Sequence, residues 1–245
     1  MSDVTPAFVL VHGAWGGAWV WRRVLNPLRA AGHEVHAVTL TGDGERAHLR
    51  RPDISLQTHI DDVLGLIEAE ELDRVIIVGH SYGGMVVTGA AAALQADRPG
   101  RVSGLVYVDA MVPLPGEGWG VGHPPEVAAA RLAAAAENDN ALPPPDPEVG
   151  FGLDAADAAW LRRRHVPHPF GMYRKPLDYD RTLLEALPKL FVDCPSPAYP
   201  TIDAMRHRVR ETPGWQVVEI ATGHFPMLSE PEALVRNLLA FAADM

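Results

Sequence analysis

Gly79-His80-Ser81-Tyr82-Gly83 follows the apolar run Arg74–Val78 and passes through Gly84 into Met85–Leu94, a stretch of small and apolar residues. The run before it is β-branched and nearly continuous in apolarity, as expected of a strand buried on both faces of a parallel sheet. The stretch after it suits a buried helix. Strand, G-x-S-x-G turn and helix in that order form a nucleophile elbow. The turn is so tight that Ser81 must take a strained backbone conformation, and side chains at its flanks would collide with the neighbouring strand and helix. Glycine at 79 and 83 meets that demand. The hydroxyl of Ser81 then stands above the sheet edge, beside the positive end of the following helix.

Outward from the elbow, five further runs read as strands: Ala7–Val11, Glu34–Leu40, Val102–Val108, Lys189–Asp193 and Gln216–Ile220. Helical patterns lie between them at Trp19–Ala31, Leu56–Glu70 and Pro231–Ala243, the last with Pro231 in its first turn and Ser229 as candidate N-cap. Alternating strands and helices predict an α/β fold with a doubly wound, mostly parallel sheet. The alternation fails over 112–187, which holds two short helical patterns, Glu126–Glu137 and Asp154–Arg164, a Pro-rich break at Leu142–Pro147 and no convincing strand. This segment reads as a helical lid inserted into a core formed by 1–111 and 188–245. Its aromatics, Trp119, Phe151, Trp160, Phe170 and Tyr173, either line a pocket or build the insert's own small core.

Two more segments belong with the elbow. Val11-His12-Gly13-Ala14-Trp15-Gly16-Gly17 closes the first strand. An acyl-transfer site needs two backbone N–H groups aimed at the developing oxyanion, and Tyr82 and Ala14 are the candidates. Thr222-Gly223-His224-Phe225 follows the last strand, where a chain order of serine, acid, histidine puts the base. The spaced pairs His33/His36 and His165/His168 lack further ligands nearby, so no metal site is read and no cofactor is required.

The 245 residues carry a formal net charge of -10 with no basic stripe, which argues against nucleic acid as a partner. No apolar segment approaches membrane-spanning length, and the polar start Met1–Pro6 lacks a signal pattern. The single cysteine, Cys194, forms no internal disulfide, consistent with a cytoplasmic setting.

Val11–Trp19, Gly79–Gly84 and Gly223-His224-Phe225-Pro226-Met227 together resemble the plant methylesterase/hydroxynitrile lyase group of the α/β-hydrolase superfamily. Val106–Pro113 is similar to its bacterial branch, which includes carboxylesterases acting on pyrethroid and carbamate compounds. The resemblance spans the core, roughly 8–113 and 190–240. It implies the α/β-hydrolase fold with Ser81 as nucleophile and His224 as base. The lyases of this group carry threonine where Gly13 stands and lysine where Phe225 stands, so cyanohydrin cleavage is disfavoured. Plant members place an aspartate just beyond the strand ending at Cys194, where this chain reads Pro195-Ser196-Pro197.

The acid that orients His224 must therefore come from elsewhere. Asp109 ends the strand expected beside the nucleophile strand and is the first choice; Asp193 and Asp203 are rivals. With Trp15 and Phe225 beside catalytic positions, and Trp119 and Trp160 from the insert, the pocket should take a small, largely apolar or aromatic ester. A lyase or carbon–carbon or amide hydrolase on the same scaffold is one alternative. A non-catalytic small-ligand receptor is another.

Overall fold

A computed structural model describes residues 5–121, 123–173 and 175–245, so Met1–Val4 of the polar start lie outside it. The sheet is built from β1 (Ala7–Val11), β2 (Val35–Val38), β3 (Val75–His80), β4 (Val102–Val108), β7 (Lys189–Asp193) and β8 (Trp215–Glu219). Their order is β2-β1-β3-β4-β7-β8, with every neighbouring pair parallel. The short strands β5 (Ala141–Leu142) and β6 (His168–Pro169) pair antiparallel in the insert.

Side chains alternate across the sheet, as the two-residue period of a strand requires. Val9, Ile77 and Tyr107 enter one core, with α2 (Leu56–Ala69) and α3 (Gly83–Asp97); Phe8, Ile76 and Val106 enter the other, with α1 (Arg22–Ala30) and α9 (Pro231–Ala243). Each fully buried Val, Ile or Phe contributes about 1.5–3 kcal/mol, so strands apolar on both sides drive the sandwich. The edge strands β2 and β8 carry the most partly exposed residues of the sheet. Strand order reverses between β1 and β3, a switch point whose crevice opens at the carboxyl ends of the strands.

Between β4 and β7 lie α4 (Pro125–Ala136), α5 (Ala155–Arg162) and α6 (Thr182–Glu185). Asp154 caps α5, its carboxylate accepting from the Asp157 N–H at 2.7 Å. The insert touches loops that follow β1, β2 and β8: the Val166 N–H donates to the Trp15 carbonyl at 3.1 Å, His168 meets Asp43, and Phe151 lies against Gly223. It thus covers the carboxyl edge of the sheet.

Two local expectations are corrected. The insert does contain strands, β5 and β6, each only two residues long and so without any alternation to read. Ser229 does not cap α9; it ends α8 (Pro226–Ser229), and its hydroxyl lies 2.6 Å from that of Thr222. Glu230 holds the cap position without a side-chain bond, while Pro231 occupies the first turn as read. Between β7 and β8 in sequence, α7 (Asp203–Glu211) packs against β8. Among the described residues no helix is long and apolar enough to cross a membrane.

Candidate active site

Ser81 leaves β3 with φ of +53°, a left-handed conformation costing roughly 1–3 kcal/mol in a non-glycine residue. Close packing enforces it. A Cβ on Gly83 would stand 2.7 Å from the His12 carbonyl oxygen, and one on Gly84 only 1.9 Å from that of Met111. These are backbone atoms that cannot move aside. The elbow is knitted to the end of β4: the Ser81 N–H donates to the Val108 carbonyl at 3.3 Å, and the Met111 N–H donates to the Ser81 carbonyl at 2.9 Å. Those bonds hold Ser81 against the two residues between them, Asp109 and Ala110.

Asp109 is fully buried with φ of +42°, and His224 is buried on the loop after β8. The His224 Nδ1–H donates to Asp109 Oδ2 at 2.6 Å, leaving Nε2 to accept from the Ser81 hydroxyl at 2.9 Å. A base held by a carboxylate in the tautomer that faces a serine is the geometry of an activated nucleophile. The His80 Nε2–H donates to the His224 carbonyl at 2.8 Å, tying the elbow to the histidine loop. Neither Asp193 nor Asp203 reaches the imidazole. Both carboxylates bond Arg206 instead, at 2.7 and 2.6 Å.

None of the described residues accepts a hydrogen bond from the N–H of Ala14 or Tyr82. Tyr82 immediately precedes α3, where the first N–H groups have no partner within the helix. The loop bearing Ala14 is held by His12: its Nε2 accepts from the Leu40 N–H at 3.0 Å, and its Nδ1–H donates to the Gly13 carbonyl at 2.6 Å. Burial pushes His12 below the usual imidazole range and keeps it in this neutral form. A Cβ at Gly13 would come 2.8 Å from the Ser81 Cβ, so glycine there leaves the approach to the hydroxyl open. Trp15 follows with φ of +67°. Three of the strained non-glycine residues thus meet at one place, as strain at functional sites does.

Aromatic rings cluster around the residues that flank Ser81 and His224. Trp15, Tyr82 and Trp119 form a buried group, with ring centroids 6.2 Å apart for Trp15–Trp119 and 5.1 Å for Tyr82–Trp119. Phe225 packs on His80, on Phe151 and edge-on to the His224 ring. Trp160 is not brought to them. It stands edge-on to Trp19 and lies under the guanidinium groups of Arg22 and Arg164, because α5 turns that face outward.

The profile of the Alpha/beta hydrolase family matches residues 8–237. The chain belongs to that family. This α/β hydrolase is 41% identical to a carbendazim hydrolyzing esterase of Nocardioides sp. (strain SG-4G), the match covering 95% of this chain and 98% of the relative. It is 26% identical to Methylesterase 7 of Arabidopsis thaliana over 96% of this chain and 95% of that one. Among solved structures, an extracellular α/β-hydrolase from a Paenibacillus species superposes with a TM-score of 0.83 at 21% identity, covering 96% and 98% of the two chains. A pyrethroid hydrolase does so at 0.71 and 23%, covering 98% of each.

Several residues of the α/β hydrolase's site carry no legible signal in sequence. Tyr199 stacks near the His224 ring, with centroids 4.2 Å apart. Arg206 reaches Asp109. Beneath Tyr82 lies a buried polar group: the Tyr82 hydroxyl donates to His59 Nδ1 at 3.0 Å, and His168 Nδ1 lies 2.8 and 3.0 Å from the two Asp43 oxygens. Among the described residues no cluster of three or more His, Cys, Asp or Glu could hold a metal ion.

These histidines give the fold a pH dependence. Burial lowers His12 and His80, takes His59, His123 and His165 down to about 4, and takes His168 down to about 3. Unfolding restores each to its ordinary value of 6.5, so the unfolded chain binds more protons as pH drops below that value. Asp43, raised to about 7 by burial, opposes them with one proton taken up by the folded state between about 7 and its ordinary 3.8. Six groups against one leave a net loss. Uptake of even two protons on unfolding costs about 2.7 kcal/mol per pH unit. The melting temperature is expected to hold above pH 7 and fall steeply between pH 6.5 and 5; a flat profile would contradict this.

Proposed function

We propose that this α/β hydrolase is a serine carboxylesterase acting on small, largely apolar or aromatic esters. The observation that carries the reading is the hydrogen-bonded series Ser81–His224–Asp109. His224 Nε2 takes the proton of the Ser81 hydroxyl as its oxygen attacks the ester carbonyl. The N–H groups of Ala14 and Tyr82 hold the oxyanion, in a site dry enough for such donors to count. His224 returns the proton to the leaving alcohol, and water then clears the acyl-enzyme by the same route in reverse. Each of these steps is performed by the chain's own side chains and backbone.

Residues 112–187 serve as the lid over this site, with 1–111 and 188–245 as the core. Trp15, Trp119 and Phe225 supply apolar walls, and Trp160 acts from outside them if at all. The Nocardioides relative named for hydrolysing carbendazim makes that compound a first substrate to try. Buried Cys194, whose thiol burial pushes up, suits a reducing cytoplasm.

The test is hydrolysis of p-nitrophenyl acetate and of bulkier p-nitrophenyl esters by the wild type, Trp119→Ala and Trp160→Ala. Removing buried Trp119 should lower stability by about 3–5 kcal/mol. It should also change the ratio of kcat/KM between bulky and short esters by about 10-fold or more, a ratio independent of how much protein is folded. Trp160→Ala should leave that ratio unchanged. An unmoved ratio in Trp119→Ala would remove the insert from the pocket, and absence of ester hydrolysis in the wild type would remove the esterase reading itself.

A further inference from the structure

Arg206 lies on α7, far in sequence from the elbow, and only 5% of it is exposed. A buried guanidinium must be paired, and this one is paired three times over. Its Nη2 donates to Asp109 Oδ1 at 2.6 Å, its Nε to Asp193 Oδ1 at 2.7 Å and its Nη1 to Asp203 Oδ1 at 2.6 Å. Nη1 and Nη2 also donate to the carbonyls of Tyr199 at 3.0 Å and Cys194 at 3.4 Å. The remaining oxygen of Asp193 accepts from Arg210. The two aspartates that rival Asp109 in sequence are thus the anchors of the cation that holds Asp109.

The arrangement at Asp109 is a division of labour between two oxygens. Oδ2 accepts from His224 and Oδ1 from Arg206. A carboxylate bonded at one oxygen only could swing about its Cα–Cβ and Cβ–Cγ bonds. With a planar fork fixed on the far oxygen it cannot. Charges then alternate in sign outward from Asp109 through Arg206 and Asp193 to Arg210, the last of which is half exposed. Tyr199, whose carbonyl Arg206 binds, also stacks beside the imidazole. One side chain therefore organises both the acid and a wall of the histidine.

We propose that Arg206 is a positioning residue for the His224–Asp109 couple: it holds Asp109 turned so that Oδ2 faces the imidazole. The inference rests on the triad reading given above. A purely structural role, in which Arg206 merely staples α7 to β4 and β7, would affect stability alone. Three variants separate the two. Arg206→Met removes the cation. Arg206→Lys keeps a charge but cannot span three carboxylates with a planar fork. Arg208→Met is the control, since Arg208 ties the same helix to Glu117 and touches none of the site residues.

Positioning predicts that kcat for p-nitrophenyl butyrate falls about 100-fold in Arg206→Met and about 10-fold in Arg206→Lys, the range seen when a supporting partner of a catalytic group is lost. KM should stay within about 2-fold, because no substrate contact is removed. Arg208→Met should lower the melting temperature with kcat intact. An activity-independent readout accompanies the rates: the low-field proton resonance of His224 Nδ1–H in its short bond to Asp109 should shift or broaden in Arg206→Lys and persist in Arg208→Met. If Arg206→Met does not fold, Arg206→Lys decides. Unchanged kcat and an unchanged resonance in folded Arg206→Lys would overturn the proposal. If Ser81 proves not to be the nucleophile, the rates lose their meaning, but the resonance still decides whether Arg206 sets the Asp109–His224 bond.

Discussion

Ser81→Ala is expected to lower turnover of p-nitrophenyl butyrate by on the order of 10⁴–10⁶ while leaving the fold intact. The effect is large because the Ser81 hydroxyl is the group that His224 Nε2 meets, at 2.9 Å, and alanine removes it. What survives should come from the Ala14 and Tyr82 N–H groups and from binding alone. The fold should survive because the elbow is held by backbone bonds from Met111 and Gly84 to the Ser81 carbonyl, and alanine keeps them. Steady-state rates and a melting curve check both halves. Turnover within 10-fold of wild type in a folded variant would mean another residue is acylated.

Asp109→Asn carries the second large effect, about 10⁴ in turnover, by analogy with the serine-protease template. The neighbours dictate how the amide sits. Arg206 donates to Oδ1, so the amide oxygen must face Arg206 and the NH₂ group must face His224. Two N–H groups cannot share that contact. His224 Nδ1 must therefore become the acceptor, its proton moves to Nε2, and Nε2 can no longer accept from Ser81. Arg206 keeps Asp193 and Asp203 as counter-charges, so the variant should stay folded. Asp203→Asn alters a half-exposed carboxylate that reaches no part of the imidazole and should cost far less. Rates for the two variants at equal folded concentration test this; similar losses in both would contradict the assignment of the acid.

How far the sequence reaches differs from element to element. β4, β7 and α9 occupy the residues their patterns predict, because continuous burial writes an apolar run directly into the chain. The elbow is equally legible, since the clashes at Gly83 and Gly84 dictate glycine. Asp109 could be reached by position, from the empty place at Pro195–Pro197 and the end of a neighbouring strand. Arg206 could not. Its partners lie 3, 13 and 97 residues away, and no period or motif connects them. The same holds for His168 with Asp43, which only the folding of the insert onto the β2 loop brings together. Trp160 shows the opposite failing: an aromatic in the insert looks like a pocket residue until the rotation of α5 turns it onto Trp19 and two arginines. Local pattern records burial and tight turns. It does not record which charged side chains meet across the fold.

The central claim is that Ser81 is a nucleophile activated by His224. A fluorophosphonate probe tests it most directly, because the reagent phosphonylates an activated serine and the modified peptide can be identified by mass. The account predicts one adduct per chain, on the peptide bearing Ser81, formed quickly in the wild type and at least 100-fold more slowly in His224→Ala. An adduct elsewhere, none at all in folded wild-type protein, or labelling of Ser81 at an undiminished rate in His224→Ala would contradict it.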